Sequence, residues 1–243
     1  MPDNTLSQRI AHNLNIIQGK MKPGCRLIVV SKYREIVEIE AAISCGMRVF
    51  AENRVQALMD RYEALPKDLQ WHLIGHLQTN KVKYIAPFIA MIHSVDSEKL
   101  LQTIQKEAEK NDRTIPVLIQ IHVAEEETKF GFSPEEALAF FEQLDPALYP
   151  NVEISGLMAM ASFTESEQQI KQEFGIVQQL FQRVQKEYTE KLPHFQELSI
   201  GMSGDYILAQ EFGSTMVRVG SAVFRWLDKK NRLPREAAFY KRG

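Results

Sequence analysis

The chain has 243 residues, 44% hydrophobic and 25% charged, with a formal net charge of −2 and a pI near 6.3. This balance excludes a disordered chain and offers no broad positive field to nucleic acid or anionic lipid. Cys25 and Cys45 are too few for a disulfide framework and lack metal-ligand spacing, so free thiols in a reducing compartment are expected.

Leu6, Ile10, Leu14 and Ile17 recur at helical spacing behind Asn4 and Thr5, which predicts a leading helix. The N-terminal stretch has no signal-peptide pattern, and no apolar run approaches the roughly 18 residues of a membrane span, so a cytoplasmic protein is expected. After the leading helix, strand-like and helix-like runs alternate. "RLIVVSK" (26–32) precedes helix 36–45, "RVFAEN" (48–53) precedes 53–65, "WHLIG" (71–75) precedes 79–86, and "MIHSV" (91–95) precedes 97–111. "IPVLIQIHV" (115–123) leads to 133–145, "VEISGLMAM" (152–160) to 166–190 and "ELSIGMS" (197–203) to 204–212, and "MVRVGSAVF" (216–224) is the last strand. Ser133 and Pro134 mark a helix start, as do Asp96 and Ser97.

This alternation predicts parallel strands joined by crossovers and closed as a (β/α)8 barrel. The rival open sheet lacks its phosphate fingerprint, since "SKYREI" follows the first strand. No repeat or linker divides the chain, so a single domain over 1–243 is expected, with the barrel at about 26–224 and a short C-terminal tail. That tail, from Asp228, carries six basic and two acidic residues and reads as a solvated extension.

Chemistry in such barrels gathers at the carboxyl ends of the strands. Those ends carry Ser31 and Lys32, Glu52 and Asn53, Gly75 and His76, Ser94 to Asp96, His122, Met158 and Met160, Met202 and Ser203, and Gly220 and Ser221. "GMSGD" (201–205) and "VGSA" (219–222) offer hydroxyl and backbone N–H groups where barrels bind phosphate, although glycine and serine are also ordinary turn residues. Gly204 and Asp205 read as a helix start facing an anion.

Lys32 beside such a pocket is either a counter-ion or a nucleophile that forms a Schiff base with an aldehyde. Its ordinary pKa of about 10.4 must fall for the second role, and burial pushes it that way. Arg218 pushes further if it points into the barrel; pointing outward, it pairs with a helix carboxylate.

Eight ordered motifs now acquire a common meaning: "VVSKYR", "FAENRVQ", "WHLIGHLQTNK", "HSVDS", "EEETKFGF", "GLMAMAS", "SIGMSGDY" and "GSTMVRVGSAVF". From residue 26 to 224 they resemble the pyridoxal 5′-phosphate homeostasis protein family. The resemblance implies a barrel of the alanine racemase N-terminal type, with pyridoxal 5′-phosphate held as a covalent aldimine on Lys32. It further implies Arg218 facing the pyridine nitrogen, Asn53 beside the ring hydroxyl, and the phosphate on Met202, Ser203, Gly220 and Ser221. The chain departs from the family in "FAEN" for "FGEN", "SIGMS" for "SMGMS" and "GSAVFRW" for "GTAIFG". Ala51 restricts a backbone that glycine leaves free, and Ser221 keeps a hydroxyl, so no group the cofactor needs is lost.

The cofactor is a catalyst because its protonated ring accepts electrons. Arginine offers only donors and favours an unprotonated ring nitrogen, which weakens that sink. Alanine racemase takes its second base, a tyrosine, from a separate β domain across a dimer. Here 19 residues follow Phe224, and Tyr240 is the one tyrosine among them. A basic tail cannot hold that hydroxyl within proton-transfer distance.

The expected function is therefore binding and supply of the cofactor in vitamin B6 and amino-acid homeostasis, without turnover. The expected form is a monomer whose partners are pyridoxal phosphate and the apoenzymes that require it, with no nucleic acid and no membrane. The alternatives are a pyridoxal phosphate-dependent racemase or lyase, and a class I aldolase or sugar-phosphate isomerase using Lys32 or the phosphate pocket.

Three further residues carry weaker signals. His76 reads as a proton shuttle or ring neighbour, against a loop histidine; Lys129 reads as a second amine for the cofactor, against a solvated loop charge. Met160 alternates with Met158, so both face one way, into the barrel beneath the ring. His72, His93 and His122 read as structural, and no set of side chains has metal-ligand spacing.

Overall fold

Short, fully buried aliphatic runs form the strands, because a parallel barrel strand is covered by side chains on its inner face and by helices on its outer one. In the computed structural model, which describes residues 4–124 and 130–225, these are β1 (Arg26–Val30), β2 (Val49–Glu52), β3 (Gln70–Leu73) and β4 (Met91–Val95), then β5 (Ile115–Ile121), β6 (Val152–Ala159), β7 (Glu197–Ser199) and β8 (Met216–Val219). They pair in parallel in chain order, and β8 returns to β1 with Arg218 beside Ile28, closing the barrel.

The helices are α1 (Asn4–Gln18), α2 (Ile36–Ser44), α3 (Val55–Ala64), α4 (Val82–Ile85) and α5 (Glu98–Lys110), then α6 (Pro134–Gln143), α7 (Glu167–Glu187), α8 (Tyr206–Ala209) and α9 (Ser221–Phe224). Their start chemistry is local. The Ser97 hydroxyl accepts from the Leu100 N–H at the head of α5, a cap that stabilises by about 1 kcal/mol, and Ser133 with Glu136 makes a capping box ahead of α6. On α5, Leu100, Leu101, Ile104 and Ala108 share the buried face, which is the 3.6-residue period expressed as packing.

Alternation divides the strands between two cores. Ile28, Val30, Ala51, Met91, Leu118, Met158 and Met216 fill the barrel interior, with Met160 packed against them. Val29, Phe50, Trp71, Ile92 and Leu157 face the helices. The leading helix buries Ile10, Leu14 and Ile17, and its Asn13 amide donates to the carbonyls of Val223 and Arg225 at 2.9 and 3.0 Å, tying α1 to the end of α9.

Several strands end before their apolar runs do. Lys32 lies two residues beyond β1, in a turn, and β7 is only three residues long. The run 216–224 splits into β8 and α9 at Gly220. A side-chain carbon at Gly220 would sit 2.9 Å from the Val30 carbonyl oxygen, so only glycine lets the end of β8 press on β1 before the chain turns. The helix expected over 204–212 begins at Tyr206 and tightens into a 3₁₀ turn at Gln210–Phe212. Lys129 and the basic tail from Asp228 lie outside the described residues. Among the described residues, no helix is long and apolar enough to cross a membrane.

Candidate cofactor site

Lys32 sits on the rim in the turn from Ser31 to Arg34, between β1 and α2. Ser31 is fully buried; its N–H donates to the Ala51 carbonyl at 3.0 Å and its hydroxyl to Glu52 Oε1 at 2.7 Å. The Arg34 N–H closes the turn on the Ser31 carbonyl at 3.0 Å. The lysine is thus carried by a turn pinned to the end of β2.

Arg218 points into the barrel. Its Nη1 donates to the hydroxyl and carbonyl oxygens of Ser199 at 2.6 and 2.7 Å, and Nη2 donates to the Ala159 carbonyl at 2.9 Å. All three acceptors are neutral. Burial lowers the Arg218 pKa to about 10, against the opposing pull of the Asp205 carboxylate, and the group stays cationic at neutral pH. A buried cation that bonds, among the described residues, only neutral groups suits an electron-rich ligand.

The polar line continues across the interior. His93 Nδ1 lies 3.0 Å from Ser199 Oγ, and His93 Nε2 lies 2.8 Å from His72 Nδ1. Burial, then the Arg26 charge, lowers the His72 pKa to about 3; burial, then His72, Arg218 and Arg26, holds His93 well below its ordinary value. Both rings are therefore neutral, each with one donor and one acceptor nitrogen. One polarity satisfies every partner: Arg218 donates to Ser199, Ser199 to His93 and His93 to His72. Both histidines are structural, as their strand positions suggest. Their link to Arg218 was not read from the sequence, although the inward alternation of β3, β4, β7 and β8 was a signal for it.

The loops after β7 and β8 meet at one hydroxyl. Ser203 Oγ accepts from the N–H groups of Gly220 and Ala222 at 3.3 and 3.4 Å, and the Arg218 N–H donates to the Gly201 carbonyl at 2.9 Å. The Met202 N–H is taken by the Asp205 carboxylate. Met202, Ser203, Gly220 and Ser221 are therefore brought together, with two backbone donors converging on one oxygen. Such convergence suits an anionic oxygen.

On the other side, Asn53 follows β2 and packs so closely on Gly75 that a side-chain carbon there would lie 2.1 Å from the Asn53 carbonyl oxygen. His76 is a loop histidine 38% exposed, with Nδ1 2.8 Å from Asp96 Oδ2 and its ring stacked on Phe130 at 3.8 Å. A groove of about 510 Å³ runs beside it, with Asn53, Arg54, Gln56, Gln78, Lys81 and Tyr84 in its lining. Asn53 and His76 thus border one groove, while the loops after β7 and β8 adjoin the end of β1 where Gly220 presses on Val30.

An amine-bearing turn, a buried cation and converging N–H donors suit a small anionic ligand. The fold and site define a barrel of the alanine racemase N-terminal class, and the sequence profile of "alanine racemase, N-terminal domain" matches residues 7–226. The chain belongs to the pyridoxal phosphate homeostasis protein family. It is 41% identical over 207 residues to the pyridoxal phosphate homeostasis protein of Aquifex aeolicus, covering 85% of this chain and 89% of that one. The Haemophilus influenzae protein of the same name is 33% identical, over 88% of this chain and 94% of its own. Among solved structures, PipY of Synechococcus elongatus with bound pyridoxal phosphate superposes with a TM-score of 0.80 at 32% identity, covering 89% of this chain and all of that one. Alanine racemase of Bartonella henselae, at 18% identity and a TM-score of 0.66 over 89% of this chain and 58% of its own, shares the fold.

Proposed function

We propose that this protein binds pyridoxal 5′-phosphate and serves intracellular vitamin B6 and amino-acid homeostasis, holding the cofactor as a Schiff base on Lys32 without turnover of its own. The names of its relatives and the ligand in PipY support this reading. One observation carries it: the Ser203, Gly220 and Ala222 cluster adjoins β1 two residues before Lys32, through the contact of Gly220 with Val30. Phosphate donors and amine thus rise from neighbouring strands.

When bound, the cofactor supplies an aldehyde and an electron-accepting ring. The chain's own residues do the rest. The loops at Met202, Ser203, Gly220 and Ser221 would hold the phosphate, and Asn53 and Met160 would border the ring. Lys32 would supply the amine that holds the aldehyde reversibly, to be given up to an incoming amine. Arg218 would offer the ring nitrogen only donors, which favours an unprotonated ring and a weak electron sink. Reversible holding, rather than catalysis, is what this arrangement favours.

The barrel acts as one domain and the protein as a cytoplasmic monomer, which yields its cargo to apoenzymes. The test is turnover by the purified, cofactor-loaded protein across D- and L-amino acids. No product is expected; sustained racemisation or elimination overturns the carrier reading.

A further inference from the structure

We infer that Glu52 and Arg61 are positioning residues for Lys32: a buried ion pair behind the barrel wall fixes the turn from which the amine acts. Glu52 ends β2 and is 1% exposed. Its Oε1 accepts from Ser31 Oγ at 2.7 Å and from Arg61 Nε, on α3, at 3.2 Å. The same guanidinium reaches on through Nη2 to the Arg34 carbonyl at 2.6 Å. One carboxylate and one guanidinium therefore grip the chain on both sides of Lys32, at Ser31 before it and at Arg34 after it.

What they hold is not a relaxed turn. Tyr33, between the two grips, has φ of 62°, a left-handed conformation that residues with side chains adopt sparingly and keep only where the surroundings impose it. The restraint is also chemically costly. Among the described residues Glu52 Oε2 is buried without a hydrogen-bond partner, and an apolar pair of similar volume packs a wall as well or better. What the ion pair adds is a fixed location for two backbone points. Neither residue needs to touch the cofactor, because the pair binds outward, to α3 and the turn backbone.

The inference rests on the reading of Lys32 as the imine-forming amine. Nucleophile and aldehyde carbon must meet in a near-attack arrangement, so a small displacement of the turn slows covalent capture while leaving the phosphate loops intact. Two variants separate these effects. Arg61→Lys keeps the charge but cannot bond Glu52 and the Arg34 carbonyl with one planar fork, and Glu52→Gln keeps the shape and the Ser31 contact.

Wild type and both variants are mixed with pyridoxal 5′-phosphate, quenched with borohydride over time and weighed by mass spectrometry. Affinity for pyridoxine 5′-phosphate, which has no aldehyde, is measured alongside. Covalent capture is expected to slow about tenfold or more, with affinity for the alcohol analogue within about twofold of wild type. Unchanged capture, or equal loss in both readouts, overturns the inference. Should Glu52→Gln or Arg61→Lys fail to fold, Ser31→Ala, which removes one bond to Glu52, decides by the same two readouts. Lys32→Ala runs in parallel: if it still captures the cofactor, the lysine reading itself fails, whereas inert Lys32→Ala beside normal capture in Arg61→Lys overturns only the positioning role.

Discussion

Arg218 and Ser199 are joined twice inside the barrel, the guanidinium donating to the hydroxyl at 2.6 Å and to the carbonyl at 2.7 Å. The pairing leaves a positive charge in the interior among neutral acceptors, and it anchors the polar line that runs on to His93 and His72.

Replacing Arg218 by Met removes that charge and its donors. A lost hydrogen bond to a charged group costs about 1.5–3 kcal/mol, so affinity for pyridoxal 5′-phosphate is expected to fall by about 10- to 100-fold in equilibrium dialysis. Unaltered affinity would show that Arg218 is a wall residue only.

The histidine pair makes stability depend on pH. Both folded-state values lie below the ordinary 6.5, with His72 at about 3, so the unfolded chain binds more protons than the native one in acid. The stabilising effect is complete above pH 6.5 and is lost as pH falls from there; for His72 the loss runs towards pH 3 at a slope of about 1.4 kcal/mol per pH unit. Urea denaturation across this range is expected to show a shallower slope for His72→Asn than for wild type. Equal slopes would mean that His72 is protonated in the native barrel.

Gly75→Ala tests the seat of Asn53. The new carbon would lie 2.1 Å from the Asn53 carbonyl oxygen, so the β2 loop must move. Overpacking of this kind costs about 1–3 kcal/mol, read as a lowered urea midpoint, and weaker cofactor binding should accompany it. Normal binding in a destabilised Gly75→Ala protein would remove Asn53 from the site.

Much of this was legible in the sequence because barrel strands are short buried runs between capped helices, and because Lys32, Ser203 and Gly220 stand at their ends. The end of β8 was not: "GSAVF" is as apolar as a strand, and only the contact of Gly220 with Val30 shows why the chain turns into α9. The direction of Arg218 was also open, since a lone charge on a buried strand can face either layer. Ser199 and Ala159, on β7 and β6, settle it inward. Arg61 was invisible for a different reason. Its role depends on Glu52 and the Arg34 carbonyl, brought to it by tertiary packing rather than by any spacing along the chain.

The central claim is that Lys32 holds the cofactor covalently, and borohydride reduction of the cofactor-loaded protein followed by peptide mapping tests it most directly. A reduced pyridoxyl group on the peptide containing Lys32, absent from a folded Lys32→Ala variant that has also lost the imine absorbance band, is the predicted result. A label on a different lysine, or an unchanged spectrum in Lys32→Ala, would contradict it.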